Sequence, residues 1–218
     1  MLTITEENYL KVLLHITEES ANQQEAGTNR VATQLNVRPA TATDMLKKLK
    51  EKGLVDYQKY GKISLTETGR MHAVHIVRKH RLWETFLFDK LGFSWDEVHE
   101  VAEQLEHIKS EKLIARLDKY LGFPQFDPHG DIIPKANGEL ISEHRQTLAE
   151  ATVGTARTVL AVKDNNPDFL QYVSQLGIAI GDTILIQNRF EFDGSMEIVV
   201  NEKTATISQK VALNIFIK

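Results

Sequence analysis

The hydrophobic period of this chain changes along its length, and that limits its fold more than any other feature. From residue 3 to about residue 122 apolar residues recur mostly at helical spacing. Residues 153–218 instead fall into short β-rich runs separated by turn residues: TARTVLAVK, DTILIQNRF, EFDGSMEIVVN, KTATISQ and VALNIFIK. Neither a single helical bundle nor an all-β fold accommodates both textures, so an α+β chain of separate modules is expected. Its 218 residues by themselves allow one large domain or two to three small ones, and the change of texture favours the latter. The punctuation places them at 1–70, 71–140 and 153–218, with a linker at 141–152.

The first module reads as three helices followed by a hairpin. Tyr9, Leu10, Leu13, Leu14 and Ile16 form the stripe of a first helix, and Thr28 and Asn29 precede a short second one, VATQL. Asn36 is a plausible stop, and Pro39 suits the first turn of a third helix that Gly53 ends. LVDYQKYGKISLT then alternates around Tyr60-Gly61-Lys62 as a two-stranded hairpin. This order of elements is that of a winged helix-turn-helix.

Charge agrees with that order. The chain carries 26 Lys and Arg against 30 Asp and Glu, so no overall basic surface exists. Between Arg30 and Lys62, however, eight basic residues face three acids, as a local anionic partner requires. A solvated helix face is the competing reading of such a run. In the DNA-binding reading, Arg38, Pro39, Ala40, Thr41, Thr43 and Asp44 open the third helix toward base edges, where Ala and Thr suit a thymine methyl. Lys47, Lys48, Lys59, Tyr60 and Lys62 are placed for the phosphate backbone.

Further on, Thr66 opens a long helix to about Leu91, Ser94 with Glu97 forms a capping box for a helix at 95–109, and Ser110 starts another that stops at Gly122. FPQFDPHGDIIPKANG is loop, and Asp193-Gly194 marks a hairpin turn in a small β-barrel. His80 and Glu84 share one helix face, and His99, Glu103, Glu106 and His107 make a stripe on the next helix. The chain has no cysteine, so a metal here would bind through oxygen and imidazole nitrogen: Mn2+, Fe2+, Zn2+ or Ni2+, with oxygen-rich sites leaning to Mn2+. An ion-pair network is the alternative. His15, His72, His75 and His144 read as surface or core histidines.

Catalysis finds little support. A ferritin-like carboxylate centre needs Glu-x-x-His on two helices, and Glu103 and His107 are four apart. No zincin motif, Gly-rich phosphate loop or nucleophile elbow is present. No apolar run reaches the ~18 residues of a membrane span, and MLTITEENYL is not a secretory leader, so a cytoplasmic protein without a membrane partner or small-molecule substrate is expected.

RKHRLWETFL (78–87) followed by VHEVAEQLEH (98–107) resembles the core signature of the DtxR/MntR family: the diphtheria toxin repressor, the iron-dependent regulators and the manganese transport regulators. ATATDMLKKLKEKGLVDYQKYGKISLTETG is similar to that family's recognition helix, wing and entry to its dimerisation domain. The resemblance runs from about residue 4 to 135, and the C-terminal barrel fits the family's SH3-like (FeoA-like) domain. It implies a homodimer on operator double-stranded DNA that represses metal-uptake genes.

The same resemblance implies two metal sites. Glu103, Glu106 and His107 fall on the primary ligands, with Asn8 at the N-terminal position where manganese regulators have Asp. Glu103 stands where iron-type members have Cys, which favours Mn2+ over softer metals, with Fe2+ as the alternative. The second site resembles His80, Glu84 and His99, with further ligands from the SH3-like domain. Alternatively, because Asp127-Pro128-His129-Gly130 stands where some manganese-responsive members have Cys-Pro-His-Gly, it comprises Glu84, Asp127, His129 and Asp164 or Asp168. In the implied mechanism a metal fixes the angle between DNA-binding and dimerisation domains, so that two recognition helices match major grooves ~34 Å apart. Two other readings remain at this stage: a carboxylate/histidine metal-dependent enzyme, and a metal-independent winged-helix regulator that senses through its barrel.

Overall fold

The computed structural model describes residues 2–19, 26–57, 62–139, 145–163 and 166–218. It is mixed α+β, as expected, and divides into two compact units: Met1–His80 with Leu105–Lys109 and Pro134–Leu140, and Arg81–Gln104 with Ser110–Ile133 and Ile141–Lys218.

The first unit opens with helix α1 (Ile4–Glu19). Thr3 and Glu6 form a capping box at its start: Thr3 N donates to Glu6 Oε2 (3.0 Å) and Glu6 N donates to Thr3 Oγ1 (3.3 Å). Strand β1 (Ala26–Gly27), helices α2 (Thr28–Gln34) and α3 (Pro39–Glu51), and strands β2 (Val55–Tyr57) and β3 (Lys62–Leu65) follow. The α2–α3 turn is held by Val37 N donating to Ala32 O (2.9 Å), with Asn36 at φ 51°, a left-handed position that Asn tolerates. Arg38 is the N-cap of α3 and Pro39 its first residue. The expected α1 stripe, Tyr9, Leu10, Leu13, Leu14 and Ile16, is buried with Val31, Ala42, Leu46, Leu49, Val55 and Ile63 in one core. β3 pairs antiparallel with β2 (Val55↔Leu65, Tyr57↔Ile63) and with β1 (Gly27↔Lys62). β1 was not foreseen, because two residues carry no hydrophobic pattern. The hairpin tip lies outside the described residues. Helix α4 (Glu67–Leu91) begins so close to Leu54 that a Cβ on Gly69 would meet the Leu54 carbonyl oxygen at 1.9 Å.

The second unit contains α4 from Arg81 onward, most of α5 (Val98–Leu105) and α6 (Glu111–Tyr120). Ser94 and Glu97 meet as expected (Ser94 N and Oγ donate to Glu97 Oε2 at 2.9 and 2.7 Å), but the hydroxyl is not bonded to Glu97 N as a capping box requires, 95–97 form a turn and α5 is shorter than expected. Ser110 caps α6 by accepting from Leu113 N. Part of the stretch read as linker is structured: β4 (Gln146–Thr147) and a 3-10 turn (Leu148–Glu150) carrying the buried Leu148. β4 joins β5 (Ala156–Val162), β6 (Thr183–Arg189), β7 (Met196–Val200), β8 (Lys203–Ile207) and β9 (Ile215–Ile217) in an antiparallel sheet of order β4-β9-β5-β6-β7-β8. A short helix α8 (Gln209–Ala212) precedes β9. Helix α7 (Pro167–Gln175), between β5 and β6, corrects the all-β expectation for this region. Asn166 caps it, Pro167 opens it, and Leu170 and Val173 are buried one turn apart, facing the core with Val159, Ile184, Ile198 and Ile215.

Candidate metal centres and nucleic-acid interface

In the first unit, α1 is brought against the segment after α5. Glu7, Asn8 and Lys11 lie within one turn of α1, so they share a side of it. His107 Nδ1 is 2.6 Å from Glu7 Oε2, and His107 Nε2 is 3.7 Å from Glu106 Oε1. Glu106 is fully buried (0% exposed) and meets His80 Nδ1 at 2.6 Å through Oε2. Lys11 Nζ lies 2.8 Å from each Glu106 oxygen. Burial works against the charge on Glu106, but the His80 hydrogen bond and the Lys11 ammonium outweigh it and hold the carboxyl below its ordinary range. Asn8 Oδ1 is buried with no hydrogen-bond partner, an acceptor of the kind a cation would satisfy. Glu7 holding Nδ1 leaves His107 Nε2 as the nitrogen turned to Glu106, the carboxylate–histidine arrangement common behind metal ligands.

In the second unit, Glu84 is the centre. Its Oε1 lies 3.2 Å from His99 Nδ1, and His99 Nε2 lies 3.5 Å from Glu103 Oε1. Its Oε2 lies 3.6 Å from His129 Nδ1, an ion-pair distance longer than a hydrogen bond. Glu84, Asp127 and His129 are all buried and offer three ligand atoms within 4.8 Å of one another. His129 Nδ1 has no hydrogen-bond partner, while its Nε2 is 2.7 Å from the Trp95 carbonyl oxygen. The ring is thus held with Nδ1 toward the carboxylates, and oxygen and imidazole donors of this kind fit a divalent first-row ion. Trp95 stacks on the ring (centroids 6.2 Å apart, planes at 19°).

The Asp127-Pro128-His129-Gly130 segment is also a turn. Asp127 Oδ1 accepts from His129 N (2.8 Å) and Asp131 N (3.0 Å). Arg81 faces both acids, with Nε 3.6 Å from Asp127 and Nη2 3.3 Å from Asp131. Burial, Asp131 and Glu84 push the Asp127 carboxyl up to about 7 despite Arg81 and His129. Burial would lower His129, but Glu84, Asp127 and the Trp95 carbonyl outweigh it and push the imidazole up to about 9.

The structure therefore sorts the expected ligands as follows. Glu106 and His107 come together with the Asn8 face of α1, and His80 joins them through Glu106. Glu84, His99 and Glu103 form a chain of contacts in the second unit, where Glu84 also meets Asp127 and His129. Asp168 stands exposed in the first turn of α7 and is not among the converging atoms; Asp164 and His144 lie outside the described residues. His15 and His72 are exposed and His75 is half-buried. Sequence reasoning missed Glu7, Lys11, Arg81 and Trp95. Glu7 and Lys11 had one signal, their position on the Asn8 side of α1.

On α3, Arg38, Pro39, Ala40, Thr41, Asp44, Lys47 and Lys48 are exposed. Thr43 is half-buried and its hydroxyl donates to Pro39 O (2.9 Å). Asp44 and Lys47 form a loose surface pair at 3.5 Å. Lys62 is exposed at the start of β3; Lys59 and Tyr60 lie outside the described residues. Among the described residues, no helix is long and apolar enough to cross a membrane.

Comparison with known proteins matches this layout. Residues 1–63 match the N-terminal DNA binding domain of the iron dependent repressors, 66–135 their metal binding and dimerisation domain, and 146–218 the FeoA domain. The iron-dependent repressor IdeR of Mycobacterium tuberculosis is 35% identical over 133 residues, 61% of this chain. That match spans 56% of the relative's own length. A solved structure of a manganese-dependent transcriptional repressor in complex with manganese has a TM-score of 0.87 and 37% identity, covering 97% of this chain and 98% of that one. The manganese regulator SloR has a TM-score of 0.79 and 32% identity, covering 98% and 97%.

Proposed function

Because this chain belongs to the DtxR/MntR family of iron-dependent repressors, we propose that it is a metal-activated, dimeric DNA-binding repressor of metal-uptake genes, acting in the cytoplasm with Mn2+ as its effector. The family is one of DNA-binding regulators and not of enzymes, so the catalytic reading falls away. The observation that carries the proposal is the meeting of α1 with Glu106 and His107, inside the unit that also holds α3.

The residues take distinct roles. Glu106, His107 and Asn8 would hold the primary ion, and Glu7 orients His107. Glu84, Asp127 and His129 would hold a second ion, and the Trp95 carbonyl fixes the tautomer of His129. A bound divalent cation supplies the positive charge that lets these carboxylates converge. In the first unit the consequence reaches the DNA-binding helix through Glu6, the residue before Glu7. Its carboxylate is 2.7 Å from Lys52 Nζ, at the C-cap of α3. Fixing the start of α1 thereby restrains α3, and in a two-fold dimer the restraint selects the spacing of two recognition helices.

Mn2+ is favoured by a donor set of carboxylate and imidazole without thiolate. Fe2+ is the second reading, favoured by the likeness to an iron-dependent repressor. The test is a mobility-shift titration on the promoter of its own operon or of a manganese transporter. It is run with chelator, with Mn2+, and with Fe2+ under reducing conditions, for wild type and Glu106→Gln. Binding only with metal, lost in the variant, is expected, and the two metal curves rank the ions. Equal binding in chelator would overturn metal activation.

A further inference from the structure

Lys11 is an unusual neighbour for a metal ligand. It is a basic side chain lying directly on Glu106, its Nζ 2.8 Å from both carboxylate oxygens. We propose that Lys11 is a resident cation of the first cluster, holding Glu106 in the metal-free protein and thereby setting the metal concentration at which the site fills. The proposal rests on the metal-regulator reading above.

The placement follows from α1. Lys11 is three residues after Asn8 and four after Glu7, so one turn of helix carries all three, and Glu7 and Lys11 reach the 106–107 segment. Glu106 is fully buried, and a buried carboxylate without a positive partner is costly. His80 meets its Oε2, and Lys11 supplies the permanent charge. The neighbouring lysines are engaged elsewhere: Lys52 Nζ is on Glu6, and Lys109 Nζ donates to Leu2 O.

An ammonium group has three donors and no lone pair, so it contacts Glu106 but cannot itself ligate a metal. A divalent ion approaching Glu106 Oε1 therefore meets a positive charge already in contact with that oxygen. Either the ammonium withdraws or the two cations repel each other at short range in a poorly screened site. Withdrawal is feasible because Lys11 keeps 17% side-chain exposure, and a flexible four-carbon stem can carry the ammonium to water. Metal affinity is thus the difference between the ion's attraction to Glu106 and the lysine's. Glu106 stays neutralised when metal is scarce, and the site fills only above a threshold.

The experiment is a Mn2+ titration of the full chain, reading free Mn2+ by electron paramagnetic resonance, with thermal melting by circular dichroism in parallel. Wild type, Lys11→Met, Lys11→Gln, Lys11→Arg and Glu106→Gln are compared; the last identifies which binding belongs to this cluster. Removing the charge is expected to lower the half-filling concentration of the Glu106-dependent site by about 10-fold or more, from the charge repulsion relieved. Lys11→Arg restores the wild-type threshold to within about threefold, because it keeps the charge. A structural role alone would move the melting curve without tightening the metal. Unchanged or weaker Mn2+ binding in folded Lys11→Met and Lys11→Gln overturns the proposal, and should Lys11→Met fail to fold, Lys11→Gln decides. No Glu106-dependent binding in wild type would overturn the metal reading itself, and this proposal with it.

Discussion

Around Glu106 the buried negative charge is met by Lys11 and His80, whereas around Glu84 and Asp127 it is met by the His129 imidazole and the Arg81 guanidinium. The first cluster is built from parts far apart in sequence: the contacts of Lys11 with Glu106 and of Glu7 with His107 span 95 and 100 residues. The second is half local. Asp127 and His129 sit in one turn, with Glu84 brought in from α4 and Arg81 divided between Asp127 and Asp131. A tethered ammonium must be moved aside when a metal arrives; a proton is released to solvent. The two clusters should therefore respond differently to mutation, to metal and to pH.

The strongest way to break the comparison is to remove the turn. A Cβ on Gly130 would lie 2.1 Å from the Leu160 carbonyl oxygen and 2.7 Å from Ala161 Cα, at a φ of +84°. Gly130→Ala should cost about 3 kcal/mol or more, from steric overlap added to backbone strain. The loss should appear in the melting of the second unit while Glu106-dependent Mn2+ binding survives. Loss of both together would show that the clusters are not separable. Next in size is Glu106→Gln, which removes the carboxylate on which the first cluster converges. Metal-dependent DNA affinity should fall about 100-fold or more, beyond the 10–100-fold typical of residues behind the ligands. A mobility shift in saturating Mn2+ checks it, and a loss under threefold would displace Glu106 from the proposed site.

The pH response sharpens the comparison in the chelated protein. His129 is raised to about 9 in the fold, so its stabilising contribution is full below its unfolded value near 6.5 and lost as pH rises through 9. Asp127 is raised to about 7, so the fold prefers its neutral form, and ionising it costs stability as pH climbs from its unfolded value toward 7. Both act in one direction. With chelator present, the second unit should melt on the order of 5 °C lower at pH 9 than at pH 6. Saturating Mn2+, which replaces those protons, should flatten the slope. A chelated second unit that gains stability with pH would contradict this account.

How much of this was legible depended on whether a residue's role is local. The contact of Ser94 with Glu97, the Asn36 turn and the α1 stripe follow from spacing alone, because their partners lie within a few residues. The signal for α7 was also local, with Asn166, Pro167, Leu170 and Val173 at helical positions, but its β-rich surroundings hid it. Glu106 and His107 were legible as ligand types. Glu7 and Lys11 were not, because a Glu and a Lys on an amphipathic helix look like surface charges until the fold sets Glu106 and His107 against them. Likewise Trp95 acts through a backbone carbonyl and a ring stack, which no residue spacing encodes.

The smallest expected effect lies in the link between the first cluster and α3. The Lys52 hydrogen bond holds the Glu6 carboxyl below its ordinary range against the opposing effect of burial, and Thr3 adds to the lowering. The contribution is therefore present above pH ~4.5 and lost as pH falls through the depressed value. Lys52 is 44% exposed, so solvent screens the pair and Lys52→Met should cost only about 0.5–1 kcal/mol. Its consequence for regulation should exceed its consequence for stability. Mn2+ should bind Lys52→Met as it binds wild type, while the gain in DNA affinity on adding metal shrinks by roughly threefold, a coupling of the usual allosteric size at its lower end. A double-mutant cycle with Glu6→Gln isolates the pair. If the cycle closes with no coupling, the restraint on α3 runs through the packed face of α1, where Leu10, Leu13 and Leu14 share a core with Leu46 and Leu49.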